Sequence, residues 1–175
     1  MLDLFCGLGG ASAAFREAGW EVIGVDIEPK FKPDIIADLT DWHWEGGAVD
    51  LIWASPPCQE FSTVRRPRIY DPDMSLVEAS RRIIEEVAPD WWVIENVRGA
   101  VRFLGLNYQR AGAFYLWGNI PPLGAFPWPV GWKGYRLCHG QGAIERGMSS
   151  AEKALIPLEV SSRLLYVIQA QPRLL

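Results

Sequence analysis

A chain of 175 residues with 49% hydrophobic and 22% charged residues is long enough for one domain with a real core. A net charge of −4 does not announce a nucleic-acid binder, although Arg65, Arg66, Arg68, Arg81, Arg82, Arg98, Arg102 and Arg110 crowd the middle of the chain, where a local positive field could meet phosphate. No apolar run reaches the roughly 18 residues of a membrane span and no signal peptide precedes the first strand, so a membrane protein is excluded and a cytoplasmic one expected. Cys6, Cys58 and Cys138 are an odd set without metal-ligand spacing, and His43 and His139 have no partner at such spacing. A reducing compartment and no metal site are the expectation.

Taken in chain order, Met1 to Phe5 reads as a short strand that ends in Cys6-Gly7-Leu8-Gly9-Gly10. A helical pattern covers about Ala11 to Ala18 and stops at Gly19. Glu21 to Asp26 and Asp34 to Ala37 read as the second and third strands, each closing on an acid, Asp26 and Asp38. Asp50 to Ala54 is the fourth. Ser75 to Ala88 is helical, with Leu76, Ala79, Ile83, Ile84 and Val87 on one side. Trp91 to Ile94 is the fifth strand, followed by Glu95-Asn96-Val97. Strands alternating with helices predict an α/β fold with a doubly wound, mostly parallel sheet whose ligands lie at the strands' carboxyl ends. From about 118 to 149 the chain turns rich in Gly, Pro and Trp, as an ordered loop or small β excursion inserted in the single domain. About 150 to 169 is an amphipathic helix with Pro157 near its effective start.

The most informative stretch is Ser55-Pro56-Pro57-Cys58-Gln59. Two prolines after a buried strand fix the direction of Cys58 and leave it partly open, which suits a nucleophile; a cysteine considered alone is more often an inert small hydrophobe. Gly7, Gly9 and Gly10 form a turn whose backbone amides can approach a ligand at a helix start. Asp26, about 16 positions on, suits ribose hydroxyls. Together they favour an adenosine-containing cofactor, while the absent dinucleotide spacing and Walker lysine disfavour NAD and ATP.

Asp3-Leu4-Phe5-Cys6-Gly7-Leu8-Gly9-Gly10, then Pro56-Pro57-Cys58-Gln59, then Glu95-Asn96-Val97 resemble the cofactor loop, nucleophile loop and glutamate motif of the S-adenosylmethionine-dependent cytosine-C5 DNA methyltransferases, in that family's order. The resemblance runs from Leu2 to about Val97 and resumes weakly at Gln109 to Gly118 and near Ile156 to Ile168; compact phage-encoded members are the nearest look-alikes. It implies a Rossmann-like class I methyltransferase fold and methylation of DNA, as in restriction–modification. It further implies S-adenosyl-L-methionine held by Phe5, Gly7, Gly9, Gly10, Asp26, Asp38 and Pro56. Cys58 would attack C6 of cytosine, Glu95 would hold the ring's N3 and exocyclic amine, and Asn96 would orient that glutamate or nearby backbone. Duplex DNA is the expected partner, with the target base flipped out of the stack.

The family's arginine motif departs here. Gln109-Arg110-Ala111-Gly112-Ala113 carries alanine at both arginine positions, and Arg110 stands one place out, where a strand would turn it to the other face. Either Arg98, Arg102 or the Arg65 to Arg68 group substitutes, or binding in the pocket is weakened. Few residues separate Gly118 from Ile156, so a full target-recognition domain is not expected there. Lys133, Tyr135, Arg136, Trp128 and Trp132 could make a small contact surface, or a partner chain could supply recognition. Ile156-Pro157-Leu158 with Ser161 and Leu164 resembles the family's last motif, whose helix packs beside the cofactor loop. Single-stranded DNA, RNA or a free cytosine nucleotide stays open as substrate, as does a non-catalytic binding module.

Overall fold

Successive residues of the short apolar runs point to opposite sides, and both sides are covered, which is why these runs read as continuous rather than alternating. The computed structural model describes residues 1–61, 71–125, 152 and 154–171. Arg65, Arg66, Arg68, Cys138, His139, Trp128, Trp132, Lys133, Tyr135 and Arg136 lie outside them, as does most of the expected insertion. The elements are β1 (Leu2–Leu4), α1 (Ala13–Glu17), β2 (Ile23–Asp26), β3 (Ile35–Ile36), β4 (Leu51–Ala54), α2 (Ser75–Val87), β5 (Trp91–Asn96), α3 (Val101–Leu104), β6 (Gln109–Ala111), β7 (Phe114–Gly118) and α4 (Leu158–Gln169). Short 3-10 turns occupy Pro29–Phe31, Cys58–Glu60 and Arg98–Ala100.

The strands form one seven-stranded sheet in the order β3-β2-β1-β4-β5-β7-β6. β1 to β5 are parallel, with Asp3 opposite Gly24 on one side and Trp53 on the other. β7 runs antiparallel between β5 and β6. The order reverses between β1 and β4, so the turns after those two strands open on the switch point where such sheets bind ligands.

One face of the sheet presents Leu51, Trp53, Val93 and Leu116 to Phe15 of α1 and Leu164 of α4. The other presents Leu2, Leu4, Val25, Ile52 and Ile94 to Ile83 and Ile84 of α2. Most of these side chains are wholly buried, and each contributes roughly 1.5–3 kcal/mol by leaving water. A third cluster joins Phe61, Val77, Ala100, Tyr115 and Trp117 beside the strand ends. Helices on both faces make the sheet doubly wound, as expected.

Several boundaries differ from the sequence expectation by a few residues, and two of them bear on the site. β5 runs two residues further, so Glu95 and Asn96 lie within the strand: β7 supplies their partners, Leu116 and Tyr115. α4 begins at Leu158 rather than near residue 150, because Pro157 is extended at φ −66°, ψ 148°. The β6–β7 hairpin turns through only Gly112, at φ 62°, and Ala113, and its three-residue first strand is too short to show a period of its own.

Candidate active site

The cofactor-type turn is built by an abrupt exit from β1. Phe5 has φ 58°, a left-handed conformation that costs a non-glycine residue about 1–2 kcal/mol, and Gly7 and Gly9 follow at 50° and 75°. Asp26 holds this shape: its Oδ2 accepts the Gly7 N–H at 2.9 Å and its Oδ1 the Glu28 N–H at 2.9 Å. Ser12 at the head of α1 donates to Asp3 Oδ2 at 2.6 Å. Asp3 is fully buried, its Oδ1 meets no partner among the described residues, and burial pushes its carboxyl up to about 7. A Cβ on Gly10 would run into the carbonyl oxygen of Ile156, so the segment before α4 sits directly on the glycine turn. Cys6 in the same turn is held away from the thiolate form. Burial, with Asp3, Asp26 and Asp34 nearby, pushes its thiol up to about 12.

Asp38, beyond β3, is exposed, and its Oδ1 accepts from the N–H (3.0 Å) and hydroxyl (2.7 Å) of Thr40, which lower its pKa. Arg82 reaches over from α2 and donates to the carbonyls of Leu39 (3.0 Å), Thr40 (3.3 Å) and Trp42 (2.9 Å), while pairing with Glu86 at 3.0 Å. That loop is thus tied to a helix rather than to the sheet.

Leu8, Ile27 and Ile36 stand in the turn after β1, after β2 and at the end of β3, and are 50%, 58% and 61% exposed. The sequence reading passed them over. For Ile27 the available signal was an apolar residue directly after the strand-end Asp26, where nothing in the local pattern could cover it.

The second group of residues follows β4 and β5. Asn96 Nδ2 donates to the Pro56 carbonyl at 2.9 Å in a buried bond, and its Oδ1 accepts the Val97 N–H at 2.9 Å. Cys58 opens a 3-10 turn closed by the Phe61 N–H on its carbonyl at 3.0 Å, and its side chain is half-buried. A Cβ on Gly99 would strike the Phe61 carbonyl, so the turn after β5 is pressed against the end of the cysteine loop. Glu60 accepts the Asp73 N–H at 3.2 Å, tying the far end of that loop to the approach to α2.

Glu95 is buried beside this loop. Desolvation pushes its carboxyl up to about 8, against the pull of a hydrogen bond from the Ser55 side chain. The structure therefore brings Pro56, Cys58, Glu95 and Asn96 together at the ends of two adjacent strands. It gathers Phe5, Gly7, Gly9, Gly10 and Asp26 next to them, across the switch point, and leaves Asp38 further along the rim, two strands from β1.

Ala111 is fully buried on the face of the sheet that carries Leu116, whereas Arg110 pairs with Tyr115 on the other face. Arg110 donates from Nε to the Gly112 carbonyl at 2.7 Å and lies over the Tyr115 ring at 5.7 Å. Gln109 braces the following segment, donating to the Ile120 and Pro121 carbonyls (3.1 Å each) and accepting from the Leu123 N–H at 2.7 Å. Arg98 and Arg102 are exposed. Among the described residues, no group of three or more His, Cys, Asp or Glu side chains could hold a metal. No helix is long and apolar enough to cross a membrane among those residues.

The strand order, the antiparallel seventh strand and the glycine turn at the switch point define a Rossmann-like fold of the class I methyltransferase type. Residues 1–104 match the family described as C-5 cytosine-specific DNA methylase. That is more than half of the chain, and the chain belongs to this family.

Among curated relatives, the type II methyltransferase M.XorII of Xanthomonas oryzae pv. oryzae is 31% identical over 118 residues, 56% of this chain and 28% of its own length. M.AgeI of Thalassovita gelatinovora is 29% identical over 124 residues, 59% of this chain and 29% of its own length. The chain thus spans under a third of either relative. The crystal structure of S. pombe Dnmt2 methyltransferase superposes with a TM-score of 0.40 at 23% identity, covering 58% of this chain and 37% of that one. The fold assignment rests on strand order and not on that superposition.

Proposed function

We propose that this chain transfers a methyl group from S-adenosylmethionine to C5 of cytosine in DNA, through a covalent bond between Cys58 and C6. The observation that carries the reading is the buried Asn96–Pro56 hydrogen bond, which joins the cysteine loop to the strand bearing Glu95. Nucleophile and acid then approach one small ring from a rigid frame, which is where much of a catalytic advantage originates.

The residues of the turn suit the cofactor. Gly7 and Gly9 leave a cradle without side chains. Asp26 and the exposed Asp38 are acceptors for ribose hydroxyls and the adenine amine, and the exposed Ile27 offers an apolar face to the base. Asp3 keeps a carboxyl oxygen that has no partner among the described residues beneath the turn. Phe5, Gly10 and Pro56 complete the lining. When bound, S-adenosylmethionine supplies an activated methyl group for C5.

The chain's own groups do the rest. The Cys58 thiolate adds to C6 and moves electron density to C5, which is otherwise a poor nucleophile. Glu95, whose burial keeps its carboxyl protonated near neutral pH, hydrogen-bonds N3 and the exocyclic amine and offsets the charge that develops on the ring. Loss of the C5 proton to a base then expels Cys58 and restores the aromatic ring. Duplex DNA is the substrate in this reading, with the cytosine flipped at a cost of roughly a few kcal/mol. Recognition of a target sequence falls to residues outside the described set or to a partner chain.

Transfer of labelled methyl to unmodified duplex DNA, with Cys58→Ala beside the native chain, tests this. Label recovered as 5-methylcytosine with the native chain alone is expected, with cofactor binding kept in the variant. Full activity of Cys58→Ala would refute the mechanism. Label on single-stranded DNA, RNA or a cytosine nucleotide but not on duplex would move the substrate assignment.

A further inference from the structure

We infer that Ser55, itself oriented by the indole of Trp53, is the positioning residue for Glu95. Trp53 and Ser55 are alternate residues at the end of β4, so both point to the same side of the sheet. The parallel register sets Trp53 beside Val93 and ends on Ala54 beside Ile94, so Ser55 and Glu95 are the next residues of the two chains on that side. Ser55 continues the strand, its N–H bonding the Leu4 carbonyl at 3.1 Å.

The wholly buried Trp53 donates from Nε1 to Ser55 Oγ at 2.9 Å. An indole N–H is a donor only, so it occupies a lone pair of the hydroxyl and turns the hydroxyl hydrogen outward. That hydrogen is then available to the Glu95 carboxyl, with which the Ser55 side chain hydrogen-bonds. The relay runs one way, from indole to hydroxyl to carboxyl, and each member is fixed by the sheet.

No charged side chain shares this task among the described residues. The titratable groups on the elements around Glu95 are Asp3 on β1, Cys58 and Glu60 after β4, Arg98 after β5, Tyr115 on β7, Arg110 on β6, Arg16 and Glu17 on α1, and Glu159, Arg163 and Tyr166 on α4. Arg110 is on the opposite face and bonded to Gly112, and among the described residues the desolvation of Glu95 is opposed by Ser55. Ala111 and Ala113 stand where the arginine motif would otherwise bring a guanidinium. A neutral hydroxyl thus orients the carboxyl without holding it ionised, which keeps the proton that N3 of cytosine would receive. This consequence rests on the proposed reaction, whereas the relay itself does not.

The experiment compares Ser55→Ala, Ser55→Thr and Trp53→Phe in the full chain, by carboxyl-carbon NMR titration of Glu95 without cofactor and by the pH profile of methyl transfer. Removing the donor should raise the Glu95 titration midpoint by about half a unit to one unit in Ser55→Ala. Ser55→Thr, which keeps the hydroxyl, should return it to the native value. Trp53→Phe should move it the same way as Ser55→Ala by a smaller amount. The alkaline limb of kcat should follow these shifts upward, with kcat about tenfold lower in Ser55→Ala and the KM for S-adenosylmethionine unchanged. A midpoint that does not move in Ser55→Ala overturns the relay, whatever Trp53→Phe does to folding. A shifted midpoint in a chain without methyl transfer would uphold the relay and refute the proposed reaction instead.

Discussion

The turns after β1, β2 and β3 and the loops after β4 and β5 face one another across the switch point, but different chemistry holds them. On the first side, aspartates brace the backbone: Asp26 accepts from Gly7 and Glu28, Asp34 from Gly24 at 2.7 Å, and Asp38 from Thr40. Asp34 and Asp38 lie in or near solvent and titrate below the usual carboxylate range, through these bonds. On the second side, Glu60 ties only the outer end of the cysteine loop, and the braces next to Glu95 are neutral and more buried: Asn96 to the Pro56 carbonyl, and Trp53 to Ser55 to Glu95. A carboxylate that spends two lone pairs on backbone still has others for a ligand, at little desolvation cost. A buried neutral network cannot re-form around an arriving group, and so it imposes a geometry. The first side is suited to affinity and the second to catalysis.

The largest expected effect separates the two sides. Glu95→Ala should lower kcat by about two to four orders of magnitude and leave cofactor affinity, measured by calorimetry, within about threefold. A loss in kcat below tenfold would break the division. Gly10→Ala probes the other side, because the new Cβ meets backbone at Ile156 that no rotamer change can move aside. It should destabilise the fold by about 1–3 kcal/mol in denaturant titration and weaken cofactor binding with it. Arg82→Met removes three bonds to the carbonyls of the Asp38 loop. Calorimetry should find S-adenosylmethionine bound about three- to tenfold more weakly, with kcat at saturating cofactor within about twofold; a fall in kcat instead would place the loop on the catalytic side.

The smallest expected effect is in the pH dependence of stability. Glu95 and Asp3 have carboxyls pushed up to about 8 and about 7 from the usual 4.5 and 3.8. The folded chain therefore holds protons that the unfolded chain releases between those values, and stability falls as pH rises through that window. It is fully present below about pH 4 as far as these two groups are concerned. The lowered aspartates act oppositely, losing their contribution as pH falls below the usual carboxylate range. Thermal unfolding should show a Tm lower by a few degrees at about pH 9 than at about pH 5. Glu95→Gln should flatten that slope, and a flat native profile would remove the buried-acid account of the catalytic side.

Much of this arrangement was legible in the sequence, because strands, helices and strand-end residues leave local patterns. The runs that became β1, β2, β4 and β5 were short, apolar and bounded by Gly, Pro or Asp, and each candidate residue fell at a carboxyl end. Alanine at 111 and the one-place offset of Arg110 were enough to expect that Arg110 faces the other way, and it pairs there with Tyr115. Asp26 was read as a ribose acceptor, yet its two backbone bonds make it a brace of the glycine turn as well, a role that depends on where Gly7 comes to rest.

By itself, the sequence determined the fold class, the family and the residue types available for chemistry, since these depend on periodicity and on motifs a few residues long. Only the tertiary structure decided that Asn96 bonds Pro56, that Ile156 seats on Gly10, that Arg82 holds the Asp38 loop and that Trp53 aims Ser55 at Glu95. Each of these joins residues 40 or more positions apart, and the last depends on the register between two strands as well. Register and crossing contacts are set by the packing of the whole sheet, which no local window of sequence contains.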